Sequence, residues 1–167
     1  MRRLLTATTL ALVFLVPTLA ACGTGGNAYT PPASAPTTPP QATGVVIHTA
    51  TATVGGKSTS VLTNATGMTL YYFTPDSPTA VACSGTCASI WPPLLSHGSL
   101  PTASPALSGV LSVVAGANGK QVTYNGHPLY IYSGDSKPGD TNGEGLQGKW
   151  YVATPDLAQN TGGSGGY

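Results

Sequence analysis

Asp76 and Asp135 are the side chains whose placement most invites a chemical reading. Each closes a segment of the form G-x-x-L-Y-x-[FY]-x-x-D, Gly67 to Asp76 in one case and Gly126 to Asp135 in the other, at an offset of 59 residues. Two carboxylates folded face to face have the acid and base that glycoside hydrolysis requires. The plainer alternative is structural: an aspartate just after a strand accepts backbone N–H groups and pins a turn. Other patterns give less. His48, His97 and His127 show neither the H-x-H nor the H-x₃-H spacing of a zinc site. Asp140-x-Asn142-x-Glu144-Gly145 imitates the start of an EF-hand loop, but the twelfth position is Tyr151 and no flanking helices are evident. Gly162-Gly163-Ser164-Gly165-Gly166 matches G-x-S-x-G inside a glycine-rich tail, without the strand and helix of a nucleophile elbow. No catalytic residue, metal ligand or cofactor is therefore assigned.

The cysteines carry more. Cys83-x-x-x-Cys87 is neither the C-x-x-C of thioredoxin-like proteins nor C-x-x-C-H, since Ala88 follows Cys87. In a strand their Cα atoms would lie ~13 Å apart, beyond bridging range, whereas a helical turn brings them to about 6 Å. A disulfide here demands a compact turn; a cycling redox pair is the other use of the two thiols. The third cysteine, Cys22, follows Leu19-Ala20-Ala21 at the end of an apolar run, Leu4 to Val16, that begins after Arg2-Arg3. A basic start, an apolar stretch and small residues before the cut make a secretory signal. The cysteine at the cut resembles a bacterial lipoprotein signal, in which Cys22 carries a diacylglyceryl group and becomes the first residue. Two acyl chains anchor stably where one does not. Thirteen residues of apolar run, several of them Thr or Ala, fall short of the ~20 that span a bilayer.

The elements that must position these residues are short strands. Residues 22–44 are rich in Pro, Thr, Ala and Gly without apolar periodicity, and read as a disordered tether biased to polyproline II. Residues 45–157 form one domain, and 158–167 a glycine-rich tail expected to be disordered. Within the domain, Val45 to Val54 and Ser58 to Thr63 flank a Gly55-Gly56 hairpin turn. Val110 to Ala115, Gln121 to Tyr124 and Leu129 to Tyr132 read as a three-strand meander with turns at Gly116 to Gly119 and Asn125-Gly126. A short helix is expected at Ala82 to Trp91, stopped by Pro92-Pro93. The fold class is all-β: a compact antiparallel sheet or sandwich of two pseudo-repeated halves with one short disulfide-closed helical turn.

The duplication extends beyond the motif, because Trp91 and Trp150, the only tryptophans, each lie fifteen residues after their aspartate. On a strand, residues i and i+2 share a face. Tyr71 with Phe73, and Tyr130 with Tyr132, thus line one face; Leu70 with Tyr72, and Leu129 with Ile131, line the other. Strands apolar on both faces are covered on both sides. Tyr71, Phe73, Asp76 and Trp91, with Tyr130, Tyr132, Asp135 and Trp150, form either a structural framework or the lining of a ligand site.

The doubled motif, with ACSGTCASIWPPL after the first copy and GDTNGEGLQGKWYV after the second, resembles the secreted-repeat lipoproteins that carry a Y-x-[FWY]-x-x-D motif. The resemblance covers about Val45 to Asp156. It implies a bacterial envelope lipoprotein and no particular activity.

Composition narrows the partners. Arg2 and Arg3 are the only arginines, and the rest of the chain sets four lysines against five acidic residues. That leaves no basic footprint for nucleic acid and no polybasic membrane patch. Charged residues make up 7% of the chain, against ~25% in ordinary soluble proteins, which suits a β-rich extracytoplasmic domain. The expectation is a non-enzymatic binding or scaffolding lipoprotein, held to the membrane through Cys22 and meeting an envelope ligand or protein. The alternative is extracytoplasmic electron transfer or haem or metal binding.

Overall fold

The β-branched residues on either side of Gly55-Gly56 pair as a long hairpin, β1 (Val46–Val54) with β2 (Lys57–Thr63). Both glycines have positive φ, which the two-residue turn requires and which other residues adopt only at a cost. The computed structural model describes residues 44–162; the signal, Cys22 and nearly all of the expected tether lie outside them. The remaining elements are β3 (Tyr71–Phe73), α1 (Thr86–Ile90), β4 (Thr102–Ala103), β5 (Leu111–Gly116), β6 (Gly119–Tyr124), β7 (His127–Tyr130), a 3₁₀ turn at Leu146–Gly148, and β8 (Trp150–Val152).

Two sheets result. One has the order β2-β1-β4 and the other β5-β6-β7-β3-β8. All pairings are antiparallel except the short β1–β4 contact, where Val46 meets Thr102 and Ile47 meets Ala103. The architecture is the expected all-β one. The β5–β6–β7 meander forms, and its second turn is Asn125-Gly126, with both φ values positive.

Tyr71 of β3 stands opposite Tyr130 of β7, its own counterpart in the duplication. An antiparallel pair that joins equivalent residues places a local two-fold axis between them. The flanking contacts obey it. β3 pairs outward with β8, Phe73 opposite Trp150, while β7 pairs outward with the stretch after α1 through Pro93 and Tyr130. Ser133 N–H donates to Ile90 O, and its equivalent Thr74 N–H donates to Lys149 O.

The central strands are covered on both faces. One face belongs to a cluster of Ala52, Val61, Tyr71, Cys83, Trp91, Tyr130, Trp150 and Val152. The other packs Leu70 and Leu129 with Ile47, Leu62, Val122, Tyr124 and Ala153. The chemistry-bearing aromatics thus gather on one side and the aliphatics on the other.

Several boundaries differ from the sequence reading, β7 among them, which runs His127–Tyr130 rather than Leu129 to Tyr132. The helix is α1, five residues rather than Ala82 to Trp91. Ala82 N–H donates to the Asp76 carboxylate, and Gly85 has a positive φ, so the helix cannot begin earlier. At the other end, Asn160 N–H donates to Asn125 O and the Asn160 side chain to Asp76 O, so the hydrogen-bonded chain continues past Leu157.

Candidate functional site

The turn after each motif strand is closed by its own backbone: Asp76 N–H donates to Phe73 O, and Asp135 N–H to Tyr132 O. This points each carboxylate inward. One Asp76 oxygen accepts Ala82 N–H at 2.7 Å, and one Asp135 oxygen accepts Asn142 N–H at 3.0 Å. That is the turn-pinning role expected of them. The second oxygen of each does something local reasoning missed. Tyr130 O–H donates to Asp76 Oδ2 and Tyr71 O–H donates to Asp135 Oδ2, both at 2.7 Å. Each tyrosine therefore bonds the aspartate of the other copy, and the halves are cross-tied twice.

The aromatics repeat the exchange. Trp91 and Trp150 stack face to face across the local axis, ring centroids 3.8 Å apart and planes 1° from parallel. Outside them Phe73 stacks on Trp150 at 4.2 Å and Tyr132 on Trp91 at 4.3 Å. The result is a four-ring column, Phe73–Trp150–Trp91–Tyr132, each outer ring borrowed from the opposite copy. Tyr71 and Tyr130 meet the column edge-on, at 5.4 Å from Trp91 and 5.1 Å from Trp150. Offset-stacked and edge-to-face pairs each add about 0.5–1.5 kcal/mol beyond burial.

Burial sets the protonation states. It pushes both the Tyr71 and Tyr130 phenols far above the ordinary value, and the neighbouring aspartate adds to this in each case. Both hydroxyls thus remain donors. Burial also raises the Asp76 carboxyl, while the Tyr130 hydroxyl and the Ala82 and Cys83 amides pull it back.

Gly143 was not singled out by sequence, yet it is essential to the packing. Its N–H donates to Tyr71 O–H at 3.3 Å, and a Cβ there would lie 2.7 Å from the Tyr71 ring and 2.8 Å from Trp91. Its equivalent in the first copy is Ser84. The only signal for it was the Asn-Gly step inside the acidic loop.

Cys83 and Cys87 are joined, with their Cα atoms 5.3 Å apart, at the positions that Asn142 and Leu146 occupy in the second copy. Trp91 N–H donates to Cys87 O, so the bridge sits at the base of one column ring. Cys83→Ala/Cys87→Ala removes a five-residue ring worth about 2 kcal/mol by loop closure. A matching drop in chemical-denaturation stability is expected, with the fold retained.

The other chemical candidates disperse. Asp140 accepts from Ser136 and Lys137, Glu144 accepts Val152 N–H on the outer edge of β8, and the Asn142 amide donates to Gly134 O. The acidic loop is a set of separate backbone caps rather than one cation cage. Among the described residues no group of three or more His, Cys, Asp or Glu side chains gathers. Two open clefts lie away from the column: about 280 Å³ lined by Ser96, Leu100, Val113, Ala115 and Lys120, and about 400 Å³ beside Val45, Asn64 and Leu94.

His127 is held differently from the other histidines. Its Nε2 contacts Ala158 O at 3.1 Å, so Nε2 carries the proton, and Nδ1 is buried without a partner. Tyr72 covers the ring edge-on at 4.8 Å. Burial lowers its pKa, partly offset by Ala158 O. The unfolded chain therefore takes up this proton near pH ~6.5 while the folded protein does not. Stability should fall as pH drops through that value and stop falling once below the folded pKa. Urea midpoints measured across this range should show the slope, and His127→Gln, which keeps a donor for Ala158 O, should flatten it. Asp76 acts with the opposite sign at lower pH. Its raised pKa adds stability that is complete below the unfolded value of ~3.9 and is lost as pH rises through the folded value.

A family model described as a secreted repeat of unknown function matches the chain twice, at residues 52–95 and 112–154, together more than half of it. Those two matches are the two halves of the crossed frame. No curated protein and no solved structure is similar enough to match.

Proposed function

The chain belongs to this family of secreted repeats, and on that premise we propose that it is a lipid-anchored extracytoplasmic domain that binds or scaffolds rather than catalyses. The observation that carries the reading is the crossed tyrosine–aspartate frame. Both motif carboxylates spend their oxygens on internal donors, Asp76 on Ala82 and Tyr130, Asp135 on Asn142 and Tyr71. A general acid or base must have its reacting proton within hydrogen-bond reach, and here that proton is a buried phenol's.

The anchor rests on Cys22 and the run before it. No helix among the described residues is long and apolar enough to cross a membrane. The proline-rich segment from Gly23 gives the lipid a spacer. For an envelope partner, the Leu100 cleft offers an apolar surface with one cation, Lys120, at its wall.

Detergent phase partition with intact mass tests the anchor. The full chain should enter the detergent phase and carry a diacylglyceryl mass on Cys22, and Cys22→Ser should move to the aqueous phase. An unmodified thiol in the membrane-associated protein overturns the reading.

A further inference from the structure

The column and the two tyrosine–aspartate bonds have a redox property that a purely mechanical frame would not need. A phenol resists one-electron oxidation while it keeps its proton, because its radical cation is a very strong acid. A base already hydrogen-bonded to the hydroxyl removes that obstacle by taking the proton as the electron leaves. Tyr71 and Tyr130 each have such a base at 2.7 Å. Each also touches an indole, the Tyr71 ring at Trp91 and the Tyr130 ring at Trp150. The indoles are in contact with each other, and the column reaches half-buried Tyr132. Surface, indole pair and buried phenols are thus linked ring to ring.

We propose that the aromatic column is a one-electron relay and sink: a diffusing oxygen- or nitrogen-centred radical draws an electron through Tyr132 and the Trp91–Trp150 pair, and the electron deficit settles on Tyr71 or Tyr130.

The step balances. The oxidant gains one electron and becomes its closed-shell anion, leaving an indole radical cation. Tyr71 returns one electron to Trp91. Its O–H bond breaks, and the proton forms a new O–H bond on Asp135 Oδ2. The products are a neutral phenoxyl radical and a neutral carboxylic acid. Tyr130, Trp150 and Asp76 do the same in the other half. The duplication supplies two sinks around one shared indole pair, and the burial of both phenols keeps the radicals from meeting other molecules.

Azide radicals, generated by pulse radiolysis, oxidise the purified full chain by one electron each. The indole radical absorbance should decay while the phenoxyl absorbance rises, at a rate independent of protein concentration. In Tyr71→Phe/Tyr130→Phe that conversion should be lost and the indole radical should persist. In Asp76→Asn/Asp135→Asn, which keeps an acceptor oxygen but removes the strong base, it should slow. High-field electron paramagnetic resonance of the unsubstituted protein needs no variant to fold: the phenoxyl oxygen should show a hydrogen bond from its carboxylic acid. Conversion at the unsubstituted rate in either folded variant overturns the relay. A radical lodged on a solvent-exposed tyrosine does so as well.

Discussion

Trp150→Ala is expected to cost about 3–5 kcal/mol of folding stability, the range for truncating a buried tryptophan or phenylalanine. A domain whose whole stability is of order 5–15 kcal/mol would be left marginal. The size of the loss follows from what the ring touches. Trp150 is 2% exposed, stacks on both Phe73 and Trp91, and receives the edge of Tyr130. Removing it opens the column at its centre and exposes one face of Trp91, which belongs to the other copy. Trp150→Phe keeps a flat ring and should lose less. Leu100→Ala, at a side chain 73% exposed, should change stability by no more than about 0.5 kcal/mol. Urea denaturation followed by far-ultraviolet circular dichroism separates the three. A Trp150→Ala loss as small as that of Leu100→Ala would mean that the column is not the core.

Much of this architecture was legible in the chain. The turns at Gly55-Gly56 and Asn125-Gly126 demand positive φ, and β1, β2 and β6 bring β-branched residues up to them, so both hairpins follow from local chemistry. The period of two placed Tyr71 with Phe73 and Tyr130 with Tyr132 on one face, and the clusters keep Leu70 and Leu129 on the other. The cysteine spacing demanded a compact turn, and the bridge closes one. What stayed hidden is whatever joins distant residues. Spacing within a motif fixes which way a side chain points but not which strand lies opposite, so a tyrosine 54 or 64 residues from its aspartate could not be matched to it. Nor does spacing reveal that the two indoles meet and that each takes its outer stacking partner from the other copy. The parallel contact of β4 with β1 and the close approach at Gly143 depend on the same long-range closure.

Because the bonds cross between copies, energetic coupling should cross with them. Tyr130→Phe leaves one Asp76 oxygen, inside the aromatic cluster, without its donor, an expected cost of about 1–3 kcal/mol. Asp76→Ala is worse, since the fully buried Tyr130 hydroxyl and Ala82 N–H lose their acceptor together; about 3 kcal/mol or more is expected. Once the carboxylate is gone, the hydroxyl has lost its carboxylate acceptor, so removing it costs less. The double variant should therefore be more stable than the two single losses added, by roughly 0.5–3 kcal/mol. Tyr71→Phe with Asp76→Ala is the control. These two residues lie in one copy of the motif but share no hydrogen bond, because Tyr71 is committed to Asp135. Their losses should add within about 0.5 kcal/mol. A self-contained motif predicts the reverse, with strong coupling inside a copy and none between copies. Three single variants and the two doubles in one denaturant series thus decide whether the duplicated halves are two independent turns or one frame that neither half can complete alone. The crossed geometry requires the second, and it gives a physical reason for the motif to occur as a pair: a single copy would bury a phenol without its carboxylate acceptor and leave one oxygen of its aspartate without a donor.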